Sequence, residues 1–302
     1  MSAAAVTVTG PAPGAAALPL VCDSPHSGTD YPPDFGHAIA RAALRRSEDT
    51  HVDALWDSVP AAGGALICAL FPRSYIDANR DESDIDVSMI GGEWPAEARP
   101  TQRCTALGNG LVWRKTTDLR DIYDRRLTVQ EVRGRIERCW RPYHTALAEQ
   151  LARAAAQHGG WWHLNLHSMP SNAYERLGLA SRGPLADVVL GDRGGTTCAP
   201  QFLAAVKEAF EAEGLRVAVN DPYEGAALVR LAGNPAAQRH SLQVEINRAH
   251  YMDEATRERN AGFGPLKAAV DRVVARVASF VAQEAQAIST LRNSARGATT
   301  TP

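Results

Sequence analysis

Residues 161–168 read Trp161-Trp162-His163-Leu164-Asn165-Leu166-His167-Ser168, a largely apolar run of strand length that stops at a histidine and a serine. A run this short, bounded by polar residues, reads as a buried strand rather than a helix. Residues 18–22, 65–71, 187–190, 216–219 and 242–246 are likewise of strand length and rich in Val, Ile or Leu. Between them, residues 128–157, 200–213 and 262–286 carry apolar residues at helical spacing among many Ala, Glu, Arg and Leu. Val270, Val273, Val274, Val277 and Val281 form the core stripe of the last of these. Strands alternating with helices in this way predict a three-layer α/β/α sandwich, with helices on both faces of a mixed, largely parallel sheet. No internal repeat and no Pro/Gly linker divides the middle, so residues 18–289 read as a single α/β domain. Residues 1–17 and 290–302, mostly Ala, Gly, Ser, Thr and Pro, read as disordered tails. Residues 81–110 are long for a connection inside one domain, a length that is often functional.

Composition narrows the class. A chain of 302 residues with 45% hydrophobic and 22% charged residues can bury a full core. Its formal charge of -2 comes from 32 basic and 34 acidic residues that are interspersed, so no basic stripe awaits a nucleic acid. No apolar run is long enough to span a membrane, and residues 1–19 lack the positively charged start of a secretory signal. Five cysteines, odd in number and without a Cys-x-x-Cys pair, point to reduced thiols in the cytoplasm rather than disulfides or a thiolate zinc knuckle. The expected partner is a small molecule.

In open α/β sheets, ligands bind beyond the carboxyl ends of the strands, and four strand ends here carry reactive groups. The first runs into Asp23-Ser24-Pro25-His26-Ser27-Gly28, the Trp161 run into His167-Ser168, and the 216–219 run into Asn220-Asp221-Pro222-Tyr223. The fourth carries Glu245, Asn247 and Arg248. His26 and His167 are placed to ligate a metal, and a hydrolytic zinc site would need a third ligand, which Glu48, Asp49, His51 or Asp53 could supply. The plain alternative makes both histidines turn residues and Asp49 a helix cap. Glu245 alternates with Val244 and Ile246, so it faces away from them, as a general base beside activated water or as an edge residue in solvent. Arg73, Arg80 and Arg114 lie near the ends of apolar segments and suit a substrate bearing carboxylates; Arg80 could equally pair with Asp77 or Asp81 on the surface. No Gly-x-Ser-x-Gly elbow, P-loop or Gly-x-Gly-x-x-Gly turn is present.

The blocks Ser24-Pro25-His26-Ser27-Gly28, Asp49-Thr50-His51-Val52-Asp53, Arg73-Ser74-Tyr75-Ile76-Asp77-Ala78-Asn79-Arg80, Leu166-His167-Ser168-Met169-Pro170 and Leu242-Gln243-Val244-Glu245-Ile246-Asn247-Arg248 resemble the N-formylglutamate amidohydrolase (deformylase) family. Pro142-Tyr143-His144, Val189-Leu190-Gly191-Asp192-Arg193 and Asn220-Asp221-Pro222-Tyr223 agree in order. The resemblance implies a fold like that of the zinc carboxypeptidases and aspartoacylase-like hydrolases. It also implies zinc-dependent cleavage of N-formyl-L-glutamate to formate and glutamate at the end of histidine degradation. Carried over, His26 and His167 are the metal histidines and Glu245 the catalytic carboxylate. Asn79 and Arg80 are the pair that holds a substrate carboxylate. Beyond the resemblance, Arg193, Arg73 and Tyr223 are expected to help hold the substrate, and Arg114 or Arg73 to stabilise the oxyanion. The carboxypeptidase-like His-x-x-Glu run is missing, since Thr29 and Asp30 follow His26 at that point. Asp49 is therefore the first choice for the remaining ligand and His51 the second. One Zn2+ is expected, with Co2+ or Mn2+ as alternatives. The rivals are a related hydrolase of another N-acyl amino acid or small peptide, and an inactive binding protein on the same fold. Loss of His26, His167 or Glu245 would mark the latter, and all three are present.

Overall fold

Each of the six apolar runs becomes a strand, because the β-branched and bulky residues within them pack on both faces of a pleated sheet. The computed structural model describes residues 4–180 and 183–298. Among the described residues the strands are β1 (Val6–Thr9), β2 (Leu20–Ser24), β3 (Ala65–Ala69), β4 (Ile90–Gly91), β5 (Leu127–Thr128), β6 (Trp161–Met169), β7 (Val188–Gly191), β8 (Val217–Val219) and β9 (Arg239–Asn247). They form one seven-stranded sheet in the order β1-β3-β2-β6-β9-β7-β8 and a small β4-β5 pair. Strands β3, β2, β6 and β9 run parallel, whereas β1 and β7 join them antiparallel. The sheet is thus mixed and largely parallel.

Alternation along the central strands separates two kinds of surface. Trp162, Leu164 and Leu166 of β6, with Leu242, Val244 and Ile246 of β9, pack against the helices Val52–Leu55, Pro200–Glu211 and Phe263–Ala298. Burying one such side chain contributes roughly 1.5–3 kcal/mol. On the other face, Val21 and Ile67 meet Tyr143, Leu147 and Leu151 of the helix Arg141–His158. That helix carries Pro142 in its first turn and stops at Gly159, whose φ of 90° suits glycine. Helices therefore cover both faces, as expected.

Two expectations are corrected. The segment 1–17 is not a disordered tail throughout, because Val6-Thr7-Val8-Thr9 forms the edge strand β1, paired with β3 from Val6↔Ala69 to Thr9↔Leu66. Four consecutive β-branched residues, hidden in an Ala- and Pro-rich neighbourhood, satisfy an edge that β3 would otherwise leave open. The expected tail from 290 is likewise helical as far as Ala298, since Leu291, Arg292 and Ala295 are good helix formers; residues 299–302 lie outside the described chain. The long connection 81–110 is folded on itself: Asp84 accepts hydrogen bonds from the Thr101 amide (2.7 Å) and hydroxyl (3.2 Å), which sets the start of the helix Gln102–Leu107. All five cysteines are free and buried. No helix among the described residues is long and apolar enough to cross a membrane.

Deleting residues 1–10 should lower stability by roughly 1–3 kcal/mol, the worth of a few lost ladder hydrogen bonds. Urea unfolding of the truncated chain checks this, and an unchanged midpoint would show that β1 contributes nothing.

Candidate functional site

Parallel pairing sets β6 against β9 with His163↔Ser241, Asn165↔Gln243 and His167↔Glu245 in register. Successive side chains alternate faces, so these six polar groups lie on one face of two central strands, all of them buried. Buried polar groups are costly without partners. Here Asp23 of β2 is the hub: its carboxylate accepts from Tyr143 Oη (2.5 Å), His163 Nε2 (2.7 Å) and Asn165 Nδ2 (2.9 Å). The Asn165 amide, oriented in this way, turns its Oδ1 to His167 Nε2 at 2.7 Å.

The turn after β2 carries His26. Gly28 is required there, because a Cβ would lie 2.4 Å from the Leu70 carbonyl carbon and the Phe71 oxygen. Ser27 Oγ donates to the Asp49 carbonyl at 3.2 Å, and the Asp49 amide donates to the His26 carbonyl at 3.0 Å, tying the two loops together. His26 Nε2 meets the fully buried Asp77 carboxylate at 2.7 Å, which also accepts from Arg73 (3.0 Å) and Trp113 Nε1 (3.1 Å). Burial alone would raise Asp77, but Arg73, His26 and Arg80 hold it well below the usual carboxylate range.

His26 Nε2 faces the Asp77 carboxylate, and His167 Nε2 faces Asn165 Oδ1 at 2.7 Å with Asn79 Nδ2 at 2.9 Å. When each Nε2 carries its ring's proton, both rings turn an Nδ1 lone pair toward the other and toward Asp49. His26 Nδ1 and His167 Nδ1 are 3.0 Å apart, and Asp49 Oδ2 lies 3.3 Å from the first and 3.1 Å from the second. Three lone-pair donors so close repel one another unless a cation lies among them. Tetrahedral zinc bonds of roughly 2.0–2.2 Å would put neighbouring ligand atoms about 3.3–3.6 Å apart, close to the separations found. The acceptors on both Nε2 atoms are the outer partners that metal-binding histidines need. Among the described residues, His26, Asp49 and His167 are the one such group able to hold a metal ion. Asp49 Oδ1 is taken by Arg248 Nη2 at 2.7 Å, leaving Oδ2 for the cluster. Burial opposes the Asp49 charge, yet His167, His26 and Arg248 hold its carboxyl well below the ordinary range.

Glu245 lies beside His167 at the wall of a cavity of about 440 Å³, which the three cluster residues also line. Burial pushes its carboxyl up to about 7, with Asp49 adding repulsion and His167, Arg73 and Arg248 opposing it. Gln243 Nε2 donates to Glu245 Oε1 at 2.9 Å and so orients it.

Arg73, Arg80, Asn79 and Tyr223 also line the cavity. The Asn79 amide also braces the histidine network: Nδ2 donates to Asn165 Oδ1 at 3.1 Å and lies 2.9 Å from His167 Nε2, and Oδ1 accepts from the Leu228 amide at 2.9 Å. Arg114, Arg193 and His51 are placed elsewhere. Arg114 Nε is drawn to Asp86 at 2.9 Å. Arg193 Nη1 holds the Gly225 carbonyl at 2.9 Å, supporting a turn of the cavity wall from outside. His51 Nε2 contacts the Arg257 carbonyl at 3.0 Å, because its left-handed backbone (φ 70°) turns the ring away. Arg248, one of the strand-end groups, belongs to the site, and so do Asp77, Asn165, Gln243 and Arg103, to which the sequence alone assigns no role there. Asn165 and Gln243 stand two residues before His167 and Glu245 on the same strand faces, a signal that alternation alone carries. Asp77 read as a surface partner of Arg80.

A model of the N-formylglutamate amidohydrolase family matches residues 18–252. The chain is 28% identical over 241 residues to the N-formylglutamate deformylase of Pseudomonas aeruginosa, a match covering 78% of this chain and 83% of that protein. To the N-formylglutamate deformylase of Pseudomonas putida it is 26% identical over 244 residues, with the same coverage of 78% and 83%. The crystal structure of the N-formylglutamate amidohydrolase from Ralstonia eutropha superposes with a TM-score of 0.90 at 51% identity, covering 93% of this chain and 99% of that one.

A carboxyl raised on folding favours the protonated fold, so its contribution is complete below the ordinary value of 4.5 and is lost as pH climbs through about 7. In protein stripped of divalent cations, Glu245→Gln should match wild-type stability at pH 4 and exceed it by about 1–3 kcal/mol at pH 8. Urea unfolding at the two pH values checks this, and a pH-independent offset would contradict it.

Proposed function

The chain belongs to the N-formylglutamate amidohydrolase family of amide hydrolases, and from that premise we propose that it hydrolyses N-formyl-L-glutamate to L-glutamate and formate, at the end of histidine degradation. In this reading His26 Nδ1, His167 Nδ1 and Asp49 Oδ2 would hold one Zn2+. The observation that carries it is the triangle of these atoms, 3.0–3.3 Å on a side, with Glu245 next to it in register. A bound zinc ion supplies Lewis acidity that activates water and polarises the formyl carbonyl.

The chain's own residues do the rest. Glu245, buried and poised near neutrality, takes the proton from the attacking water and passes it to the departing nitrogen. Gln243 holds Glu245 Oε1 and so keeps the carboxylate aimed. Arg73 stabilises the oxyanion: Asp77 fixes its Nε and Nη2, Trp113 lies 5.0 Å beneath the guanidinium carbon, and Nη1 faces the metal cluster 3.9 Å from Asp49 Oδ1. Arg80, anchored by Nε on the Asn109 carbonyl (3.1 Å) and by Nη1 on the Asn79 carbonyl (2.8 Å), binds the α-carboxylate. Asn79 and Asn165 hold the His167 ring in place, and Arg114 has no part in the chemistry.

Purified protein should contain about one zinc per chain, lose activity on chelation and regain it on re-addition; full activity in metal-free protein would overturn the reading. Glu245→Gln should cut kcat by roughly 10²- to 10⁴-fold while zinc stays bound. Asp77→Asn should weaken zinc affinity by about 10- to 100-fold, through loss of the carboxylate behind His26. Metal titration by calorimetry reads the second effect, and unchanged affinity would remove Asp77 from that role.

A further inference from the structure

Arg46, Arg73, Arg80, Arg103, Arg176 and Arg248 line the cavity, against the carboxylates of Asp49, Glu224 and Glu245. Most of these arginines have partners. Arg73 is engaged by Asp77, Arg248 by Asp49 and Arg176 by Asn172, while Arg80 is tied to two carbonyls and Arg46 stands 3.7 Å from Asp118. Arg103 differs. It makes no hydrogen bond and no ion pair among the described residues, and its Nε is closed off from solvent without a partner. Burial pushes its guanidinium down to about 10, and Arg80 and Arg73 repel it further.

An unpaired, half-enclosed cation beside two others is unfavourable unless an anion completes it. The local fold nevertheless holds it there. Thr101 caps the helix Gln102–Leu107 by accepting from the Cys104 amide at 3.1 Å, and Asp84 fixes Thr101 in turn. Cys104 is fully buried beneath Gly110, where a Cβ would lie 2.4 Å from its Sγ. Gly108, at φ 70°, ends the helix. Tyr223 lies within electrostatic reach of both Arg103 and Glu245, which places this guanidinium in the same chamber as the reacting groups. A guanidinium fork matches a carboxylate through two parallel hydrogen bonds, and with Arg80 on the α-carboxylate, Arg103 is left for a second one.

We propose that Arg103 receives the side-chain carboxylate of the amino-acid half of the substrate and so selects N-acyl derivatives of acidic amino acids, glutamate over glutamine. This rests on the reading of the cavity as an N-formyl amino acid hydrolase site. The charged side chain brings the anion that the arginine cluster lacks, whereas the neutral amide leaves Arg103 buried and unpaired. Discrimination therefore comes as much from rejecting the amide as from holding the acid.

The test compares zinc-loaded wild type with Arg103→Met and Arg103→Lys. The ratio of kcat/KM for N-formyl-L-glutamate to that for N-formyl-L-glutamine should fall by roughly 10- to 100-fold in Arg103→Met, mainly through KM, and recover in part in Arg103→Lys. An unchanged ratio, including an equal loss on both substrates, overturns the proposal. Calorimetric binding of glutarate against its monoamide gives a readout that needs no turnover. If wild type hydrolyses neither substrate, the deformylase reading fails on its own. The role of Arg103 is then judged by whether the preference for glutarate disappears in Arg103→Met, and its persistence overturns it.

Discussion

Two parallel strands at the centre of the sheet each bury three polar side chains on the same face, and the rest of the molecule must satisfy every one of them. Water cannot reach His163, Asn165 or Ser241, so each depends on a partner from another element. Asp23 supplies it for two of them and is itself steadied by Tyr143 from the overlying helix. The chain of contacts from Ser241 through His163, Asp23 and Asn165 ends at His167. A network of this kind rigidifies its members when complete and is destabilising when broken. Ring orientation at the cavity is therefore a property of the whole sheet rather than of one loop.

His26 is held by the same logic from the opposite side. Asp77 fixes its Nε2, while Arg73 and Trp113 occupy the other oxygen of that carboxylate. Both imidazoles are pinned from behind, and both turn the same nitrogen forward. Asp49 is restrained likewise, one oxygen on Arg248 and the other on the cluster. The charges are arranged so that a cation is the natural centre of the site, and arginines are the natural border for an anionic substrate.

Much of this arrangement can be read from local sequence. Strand-length apolar runs and the 3.6-residue period locate the layers, since both are short-range properties. Polar residues at the ends of the Trp161 and Leu242 runs mark the edge of the sheet where the cavity forms. What stays hidden depends on register and on long-range packing. Asp77 reads as a surface acid until the fold places it behind His26. Arg103 has no periodic context at all, and its position follows from Asp84, Thr101 and Gly110. Arg114 and Arg193 carry the same local signature as Arg80, and only the folded chain shows that Asp86 and the Gly225 carbonyl draw them away. β1 is missed for a simpler reason: composition averaged over seventeen residues conceals four β-branched ones.

The central claim is that two imidazoles, each braced through its outer nitrogen, share one cation with Asp49. Anomalous diffraction at the zinc edge, from crystals of zinc-loaded protein, tests it most directly. The account predicts a single peak bonded to Nδ1 of His26, Nδ1 of His167 and one oxygen of Asp49, with Glu245 next to it. A peak on other residues, or coordination through either Nε2, would contradict it.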